Sequence, residues 1–550
     1  MTKFVLKTCL FCILWGTLLA QAQTYKEPPH FNHIVIIVQE NRTPDDVFGA
    51  GPGGTRPRCG QEVRFEAGVD ITNGGPNLAS KEHHKSYITC LTPLKNMVDG
   101  GANHEHIPDW THQFDHGAMD GACLNTKWRQ SGHCPEYTYV NKQLVQPYFD
   151  IATNYGFANY MFQTNQGPSL PAHQFIFGGT SAPVLPGNSK QEYYKYFVAE
   201  NAEVADSGCL RGHTRFPNWI DPAGDEHPTP LYRQCYDYNT LVTFQDDNGV
   251  IHDKTNKIPG GWKYYAQKPG IVWDAPQANY QTCYFAKRGN GDCNSKEFTD
   301  HVSFAESGLM KSAPIFSDIQ KCQLAAISWV TPDEAWSDHP GPHDKSLGPS
   351  WVADIVNAIG NSGLNSHGQC DYWEADPTAI FILWDDWGGF YDHVPPPVTY
   401  LGSKVDGKWE CSAPNGWGCG YVYGFRVPLL VVSRHTPPGT VSGAIVDNPI
   451  YPPPREWTHD FGSILAFVEH NFELPPIAPS GYTYADVNSL DRVYQGKEVI
   501  PLWEFFLGTG RKFTQIPAPH SAEFFMNYYA TPQADGTLPM PEGPDGGDDD

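Results

Sequence analysis

Two short apolar segments constrain most strongly how this chain folds. HIVIIV (33–38) and AIFILW (379–384) consist almost entirely of branched and aromatic residues, and VPLLVVS (427–433) is similar. Continuous apolar runs of this length are typical of strands in a parallel sheet that is covered on both faces. Helical patterns lie between and after them, at SWVADIVNAIG (350–360) and GSILAFVEHNF (462–472). This alternation predicts an α/β fold with a mostly parallel central sheet and helices on both faces.

Polar residues directly follow the first two predicted strands. Glu40 and Asn41 come after the first, and Asp385 and Asp386 come after the second. Ligands of open α/β sheets bind beyond the carboxyl ends of the strands. Three carboxylates and an amide oxygen brought together there would suit a hard divalent cation. Taken separately, each pair could equally be a solvated loop, and NRT (41–43) has the spacing of a glycosylation sequon.

A candidate nucleophile lies in GPSLPAHQFIFGGTS (167–181). The prolines and Gly167 predict a tight entry into a short helix, with Ser169 at its N-terminus. Unpaired N–H groups and the helix dipole favour an anion there, such as an alkoxide or a phosphate oxygen. Simple N-capping by Ser169 is the alternative that this stretch alone favours.

Histidine is concentrated in two stretches, and imidazoles can ligate a metal or, when protonated, hold a phosphate. The residues are His104, His106, His112, His116, His339 and His343. A single histidine is usually structural, but four within 104–116 indicate a functional cluster.

The overall composition excludes some partners and predicts export. A formal net charge of −24, part of it in the tail PEGPDGGDDD, argues against nucleic acid as a partner. Residues 1–22 combine two lysines, a short apolar run and AQA (20–22), which predicts a signal peptide. No later segment is apolar for long enough to predict a transmembrane anchor. A secreted or periplasmic protein is therefore expected.

Cysteine content and local composition predict the remaining organisation. Removing Cys9 and Cys12 from the 14 cysteines leaves 12, an even number that predicts disulfides but not their connectivity. Residues 23–510 are predicted to form one large domain, with about 185–310 as a cap-like insertion. Residues 511–550 are predicted to be irregular and to end in the acidic tail.

Several of these motifs resemble those of the bacterial phosphoesterase family. ENRTPDDVFG (40–49) is similar to the family's ENRSFDxxFG, and WDDWGGFYDHVPPP (384–397) to its YDENGGFYDHVPPP. GFRVPLLVVS (424–433), GAMDG (117–121) and DHP (338–340) also match. The family contains phosphatidylcholine-type phospholipases C and acid phosphatases, and its core is similar to alkaline phosphatase. The resemblance therefore implies that 23–510 is a phosphoesterase catalytic domain with an alkaline-phosphatase-like sandwich.

The resemblance also implies roles for the candidate residues. The ligands of a divalent metal ion would be Glu40, Asn41, Asp385 and Asp386. Ser169 takes the place of the nucleophile in the family's G-P-[ST]-x-P pattern, and His339 that of a histidine contacting the phosphoryl group. His106 is the choice for a second such histidine through Asn103-x-x-His106, with His104 and His112 as alternatives; His301 is a candidate for a third.

The predicted function is an exported, metal-dependent phosphoesterase of phospholipase C type, and the alternative is an acid phosphatase acting on monoesters. The substrate would be a phosphate ester, with a phospholipid head group as one candidate. Two departures from the lipase-type members leave the substrate open: PAH (171–173) replaces P-N-R, and DFGS (460–463) replaces DHTS. A non-catalytic exported binding protein on the same fold is a third hypothesis, against which the intact ligand set argues.

Overall fold

The computed structural model describes most of the chain between residues 24 and 528. The described residues are 24–48, 91–101, 107–114, 119, 121–122, 136–185, 196–198, 208–209, 217–221, 226–227, 235–283, 293, 296–307, 310–311, 313–341, 344–365, 370–397, 402–405, 408–411, 423–443, 455–478 and 484–528.

An eight-stranded sheet forms the centre of the molecule. Its strands are β1 His33–Gln39, β2 Gly156–Ala158, β3 Trp262–Ala266, β4 Val302–Phe304, β5 Ile327–Val330, β6 Thr378–Trp384, β7 Leu429–Val432 and β8 Thr440–Ser442. They lie in the order β4-β3-β5-β1-β6-β7-β2-β8. Neighbours pair in parallel, except that β7 is antiparallel to both β6 and β2. The predicted α/β fold with a mostly parallel sheet is confirmed.

The pairing of β1 with β6 determines where the residues that follow these two strands leave the sheet. Every residue of β6 is buried, as is all of β1 after His33, so apolar side chains are covered on both faces. This burial explains why neither segment alternates between polar and apolar residues. The parallel register sets Gln39 opposite Trp384, the last residue of each strand. The two segments that follow therefore leave the sheet side by side.

Helices pack around this sheet in at least two groups. They are α1 Pro44–Phe48, α2 Ile107–Phe114, α3 Gln146–Asn154, α4 Ser169–Gly178, α5 Ala275–Ala278, α6 Tyr280–Cys283, α7 Lys296–His301, α8 Pro314–Gln320, α9 Gly348–Gly360, α10 Ser362–Asn365, α11 Phe461–Phe472, α12 Ala485–Asn488 and α13 Ala522–Met526. Helix α9 contacts α3, α8 and α13, whereas α11 contacts α4 and α12. Helix α11 begins at a capping box between Asp460 and Ser463, which satisfies backbone donors at its first turn.

Short secondary structure lies outside the main sheet. Its strands are Thr92–Leu94 with Thr138–Val140, Met161–Phe162 with His459–Asp460, Phe197–Val198 with Trp219–Ile220 and Glu226–His227, Thr243–Gln245 with Ile251–Asp253, Glu306–Ser307 with Met310–Lys311, Gly402–Val405 with Lys408–Cys411, and Val493–Tyr494 with Lys497–Glu498. Its 3-10 helices are Glu334–Trp336, Arg455–Trp457 and Trp503–Phe506.

Two segments are more regular than their composition suggested. Residues 185–310, predicted as a cap-like insertion, include β3 and β4 of the main sheet; a cap role for the remainder stays a prediction. Residues 511–528 contain α13, which buries Phe525 completely. Asn357 also exchanges two hydrogen bonds with the backbone of Ile516, attaching this segment to α9.

Three disulfides join described cysteines. They are Cys209–Cys235, Cys283–Cys293 and Cys322–Cys370. Cys123, Cys134 and Cys419 lie outside the described residues. Among the helices that the structure describes, none has the length and apolar content needed to cross a membrane.

Candidate active site

The residues after β1 and β6 form one buried polar cluster. Glu40, Asn41, Asp385 and Asp386 are all 0% exposed. The Asn41 backbone N–H donates to Asp385 Oδ1 at 3.0 Å, and the Arg42 N–H donates to the Asp386 carbonyl at 3.1 Å. These bonds hold the two segments together. The interpretation of either pair as a solvated loop is wrong, and a sequon at Asn41 would be inaccessible in the folded chain.

A close approach of two backbones explains the glycine in this cluster. Gly388 has a φ of +58°, and a Cβ there would lie 2.6 Å from Asn41 Cβ and 2.7 Å from Asn41 O. Its N–H donates to Asp386 Oδ1 at 2.7 Å. Asn41 also has a positive φ, 55°, which asparagine tolerates better than most residues. The tight turn after β6 therefore requires Gly388.

Ser169 lies directly against the strand-end carboxylates. It is the first residue of α4, preceded by Pro168 at the N-cap position, and is 2% exposed. Its hydroxyl lies 3.2 Å from both Glu40 Oε2 and Asp386 Oδ2, positioned to donate to either. The structure thus brings Ser169 together with residues more than a hundred positions away in sequence. Simple capping does not describe a hydroxyl that faces two acids.

His173 is a member of this cluster that the sequence analysis did not select. Its Nε2 lies 3.0 Å from Glu40 Oε1 and 3.7 Å from Asp385 Oδ2. Its ring is fully buried, and its Nδ1 has no hydrogen-bond partner among the described residues. Burial lowers the pKa of His173 to about 4, although Asp385 acts in the opposite direction. The four-residue spacing from Ser169, which places both on one face of α4, was the available sequence signal.

The electrostatics of this cluster fit a cation. Burial, followed by the nearby charges of Asp385 and Asp386, raises the pKa of Glu40 well above its usual value. Within the described part of the chain, the basic side chain closest to Glu40 and Asp385 is His173, whose lowered pKa leaves it neutral at pH 7. Asp385 Oδ2 is buried and accepts no hydrogen bond there. Carboxylates buried without a balancing charge are unfavourable, so this donor set fits a divalent metal ion.

Asp338 supports the strand ends from within the protein. Its backbone N–H donates to Gln39 Oε1 at 3.1 Å, and its carbonyl accepts from Arg42 Nε at 2.9 Å. Its carboxylate accepts from Tyr148 OH at 2.8 Å and Trp384 Nε1 at 2.9 Å. Burial raises the pKa of Asp338 to about 7. One residue therefore connects the chain on both sides of Glu40 with the end of β6.

The structure describes the positions of only some of the histidines that were predicted to contact phosphate. His339 follows Asp338, but its Nδ1 faces the Pro340 carbonyl at 2.8 Å, and it has no hydrogen bond to Ser169 or to the strand-end acids in the described structure. His104 and His106 lie outside the described residues, and so does the side chain of His112. His301 stacks on Trp262 with ring centroids 4.5 Å apart, a structural position. The roles of His339 and His106 stay predictions.

A second acidic cluster neighbours the first but contains its own positive charge. Arg426 donates to Asp392 through Nε at 2.8 Å and through NH2 at 2.9 Å, and reaches Asp45 Oδ1 at 3.3 Å. His393 contacts Asp45 through its backbone N–H at 2.8 Å and through Nδ1. Arg426 thus supplies this cluster with a positive charge, although Asp45, Asp392 and His393 also lie close enough together to hold a metal ion. It ties α1 to the segment after β6.

Comparisons with known proteins show the family of this chain. The Phosphoesterase family model matches residues 31–475, which include both strand ends and Ser169. The chain belongs to the phosphoesterase family. The family predicted from the sequence motifs is therefore confirmed.

Several curated relatives of this chain are bacterial phospholipases C. It is 23% identical to a non-hemolytic phospholipase C of Pseudomonas aeruginosa, over 81% of this chain and 55% of the relative. It is 24% identical to phospholipase C A of Mycobacterium tuberculosis, over 74% and 68%. It is 30% identical to a non-hemolytic phospholipase C of Burkholderia pseudomallei, over 80% and 55%. The match thus spans about half the length of two of these relatives. Family and relatives together support phosphoester hydrolysis.

Proposed function

We propose that this chain is an exported, metal-dependent phosphoric ester hydrolase of phospholipase C type, with Ser169 as its nucleophile. The observation that carries the proposal is the position of Ser169 Oγ, 3.2 Å from both Glu40 Oε2 and Asp386 Oδ2. A hydroxyl at a helix N-terminus and against two buried carboxylates has the surroundings that an activated serine requires.

Glu40, Asn41, Asp385 and Asp386 would hold the metal ion. Their oxygen donors, their complete burial and the lack of a hydrogen-bond partner for Asp385 Oδ2 among the described residues all fit such a set of ligands. When bound, a divalent cation would stabilise the serine alkoxide and reduce the negative charge of the phosphoryl group.

The remaining chemistry belongs to side chains of this chain. Ser169 Oγ attacks the phosphorus atom of the ester and forms an O–P bond while the bond to the leaving oxygen breaks. Its proton passes to a carboxylate oxygen of Glu40 or Asp386, both of which the hydroxyl faces, and the leaving oxygen takes up a proton and departs as a hydroxyl group. His339 and His106 would contact the phosphoryl oxygens. Water then hydrolyses the phosphoserine and restores the hydroxyl.

The names of the relatives support a phospholipid diester as substrate, cleaved to release a phosphorylated head group. A phosphomonoester is the second candidate, because His173 and the DFGS segment (460–463) differ from the lipase-type patterns. Under either substrate, we propose an alkaline-phosphatase-like core. Export rests on the signal-like residues 1–22 and on the three disulfides.

Replacing Ser169 tests the proposal. Ser169→Ala should lose turnover on the order of a thousandfold or more, because the covalent route disappears. The assay compares a chromogenic phosphomonoester with phosphatidylcholine, and a quenched wild-type reaction should contain phosphate on Ser169. The matched control is Ser521→Ala, which removes the N-cap of α13, a serine whose side chain accepts from the Phe524 N–H. The control should cost about 1 kcal/mol of stability and no turnover.

Two results would contradict the proposal. A folded, metal-containing Ser169→Ala protein with near wild-type turnover would remove Ser169 as nucleophile. A folded, metal-loaded wild-type protein that cleaves neither ester would favour the binding-protein hypothesis.

A further inference from the structure

We propose that His173 is an imidazole ligand of the metal site, which therefore selects a borderline transition-metal ion such as Zn²⁺ or Fe²⁺ over Mg²⁺ and Ca²⁺. This inference rests on the proposed function, since it concerns the same metal. It adds a nitrogen donor to a set that otherwise contains only oxygen.

The distances around His173 fit donors that share one ion. Two ligands each about 2.1 Å from a metal lie roughly 3.0 Å apart at a right angle, roughly 3.4 Å apart at the tetrahedral angle and roughly 3.6 Å apart at 120°. Nε2 of His173 lies 3.0 Å from Glu40 Oε1 and 3.7 Å from Asp385 Oδ2. One donor atom from each of these three residues lies within 4.8 Å of the other two. The imidazole thus occupies a coordination position and not only the edge of the cluster.

The hydrogen bonding of Asp385 Oδ2 and of His173 Nδ1 leaves the Nε2 atom of His173 able to act as a metal ligand. Asp385 Oδ2, which faces His173, accepts no hydrogen bond in the described part of the protein. Nδ1 of His173 likewise has no partner among those residues, so no donor forces the ring proton onto Nε2. The tautomer with its proton on Nδ1 directs the Nε2 lone pair toward the two acids, an arrangement that a shared cation would stabilise.

Helix α4 fixes the relation between the nucleophile and this ligand. Ser169 and His173 are four residues apart and therefore lie on the same face of the helix. Both contact Glu40, one at each carboxylate oxygen. A shift of α4 would move the hydroxyl and the imidazole together, so metal binding and the position of Oγ are linked.

Metal selectivity of the full chain tests the inference without depending on activity. Chelator-treated protein is dialysed against equimolar Zn²⁺, Mg²⁺ and Ca²⁺, and bound metal is counted by elemental analysis. X-ray absorption of the bound transition metal then reports whether an imidazole nitrogen is a ligand. The variants are His173→Gln, which can still hydrogen-bond Glu40, and His173→Ala. The matched control is His252→Gln, because His252 Nε2 also lies 3.0 Å from a carboxylate, that of Asp246, on the surface.

The wild-type protein and the His252→Gln variant should hold one transition-metal ion with an imidazole signature. Both His173 variants should lose that signature and bind the transition metal at least about tenfold more weakly, with little change for Mg²⁺. If X-ray absorption finds no nitrogen ligand on the metal bound to the wild-type protein, this result alone overturns the inference. A His173→Gln protein that binds the transition metal with wild-type affinity and selectivity also overturns it. In both cases the proposed function survives. Wild-type protein that binds no stoichiometric metal overturns the proposed function itself.

Discussion

At the scale of single residues, Arg426 is a buried cation that pairs with two buried acids beside the candidate active site. Its guanidinium is 0% exposed and contacts both Asp392 and Asp45. Burial raises the pKa of Asp392 to about 7 even though Arg426 lowers it. Removing one partner of a buried ion pair is strongly destabilising, because it leaves charge without compensation.

Arg426→Met should therefore lower the free energy of unfolding by about 3–5 kcal/mol at pH 7. Urea unfolding measures the change. The control is Arg455→Met, since Arg455 is exposed, and it should change stability by less than about 0.5 kcal/mol. A loss below about 1 kcal/mol for Arg426→Met would mean that the acids are neutral or solvated in the folded protein.

At the scale of elements, the turn after β6 and the turn after β1 form one unit. The register of the two strands aligns them, and backbone hydrogen bonds from Asn41 and Arg42 join them. Gly388 permits this contact, because a side chain there would enter the space of the Asn41 backbone.

Gly388→Ala should separate the two turns and lower metal affinity and turnover by at least about tenfold, because the proposed metal ligands lie on both turns. Bound metal and turnover are measured together. Gly496→Ala is the matched control, since Gly496 also has a positive φ of +77° but nothing within 4 Å of an added Cβ. It should share the backbone strain of about 1 kcal/mol and retain full metal content. Wild-type metal content in Gly388→Ala would contradict the account of the turn.

At the scale of the whole molecule, buried acids link stability to pH. Burial raises the pKa of several carboxyls to about 7 or 8, namely those of Asp338, Asp460, Glu136, Asp274 and Asp344. The folded state therefore binds more protons than the unfolded state between about pH 4 and 8. His459 acts in the same direction at higher pH: burial lowers its pKa, but Glu504 and Asp491 raise it to about 10. Its contribution is complete below about pH 6.5 and is lost as the pH rises toward 10.

The free energy of unfolding of chelator-treated protein should consequently fall as the pH rises from 5 to 8. Denaturant unfolding across this range measures the slope. Asp344→Asn keeps an acceptor for the Ser346 N–H and removes one such carboxyl. It should be more stable than wild type by at least about 1 kcal/mol at pH 8, and the difference should vanish near pH 4. Stability that rises from pH 5 to 8 in the metal-free protein would contradict this assignment.

The sequence by itself determined the elements whose signals are local. Strands β1 and β6 were predicted because strands buried on both faces need continuous apolar runs, and their polar ends mark the ligand-binding edge of an α/β sheet. The phosphoesterase family was predicted from sequence motifs next to the ends of these two strands. The predicted cap-like segment shows where such signals fail: β3 reads WKYYA and β4 reads VSF, which lack a long apolar run, and tertiary pairing makes them sheet strands.

Only the tertiary structure decided which distant side chains meet. The distances from Ser169 to Glu40 and Asp386 depend on strand register and on the packing of α4, which no local pattern encodes. His173 was overlooked for the same reason, because an imidazole on an apolar helix is usually structural until a neighbouring element brings carboxylates to it. The fold also distinguished the two acidic clusters: it placed Arg426 in one and made the other a candidate metal site, since buried acids are unfavourable without a balancing charge.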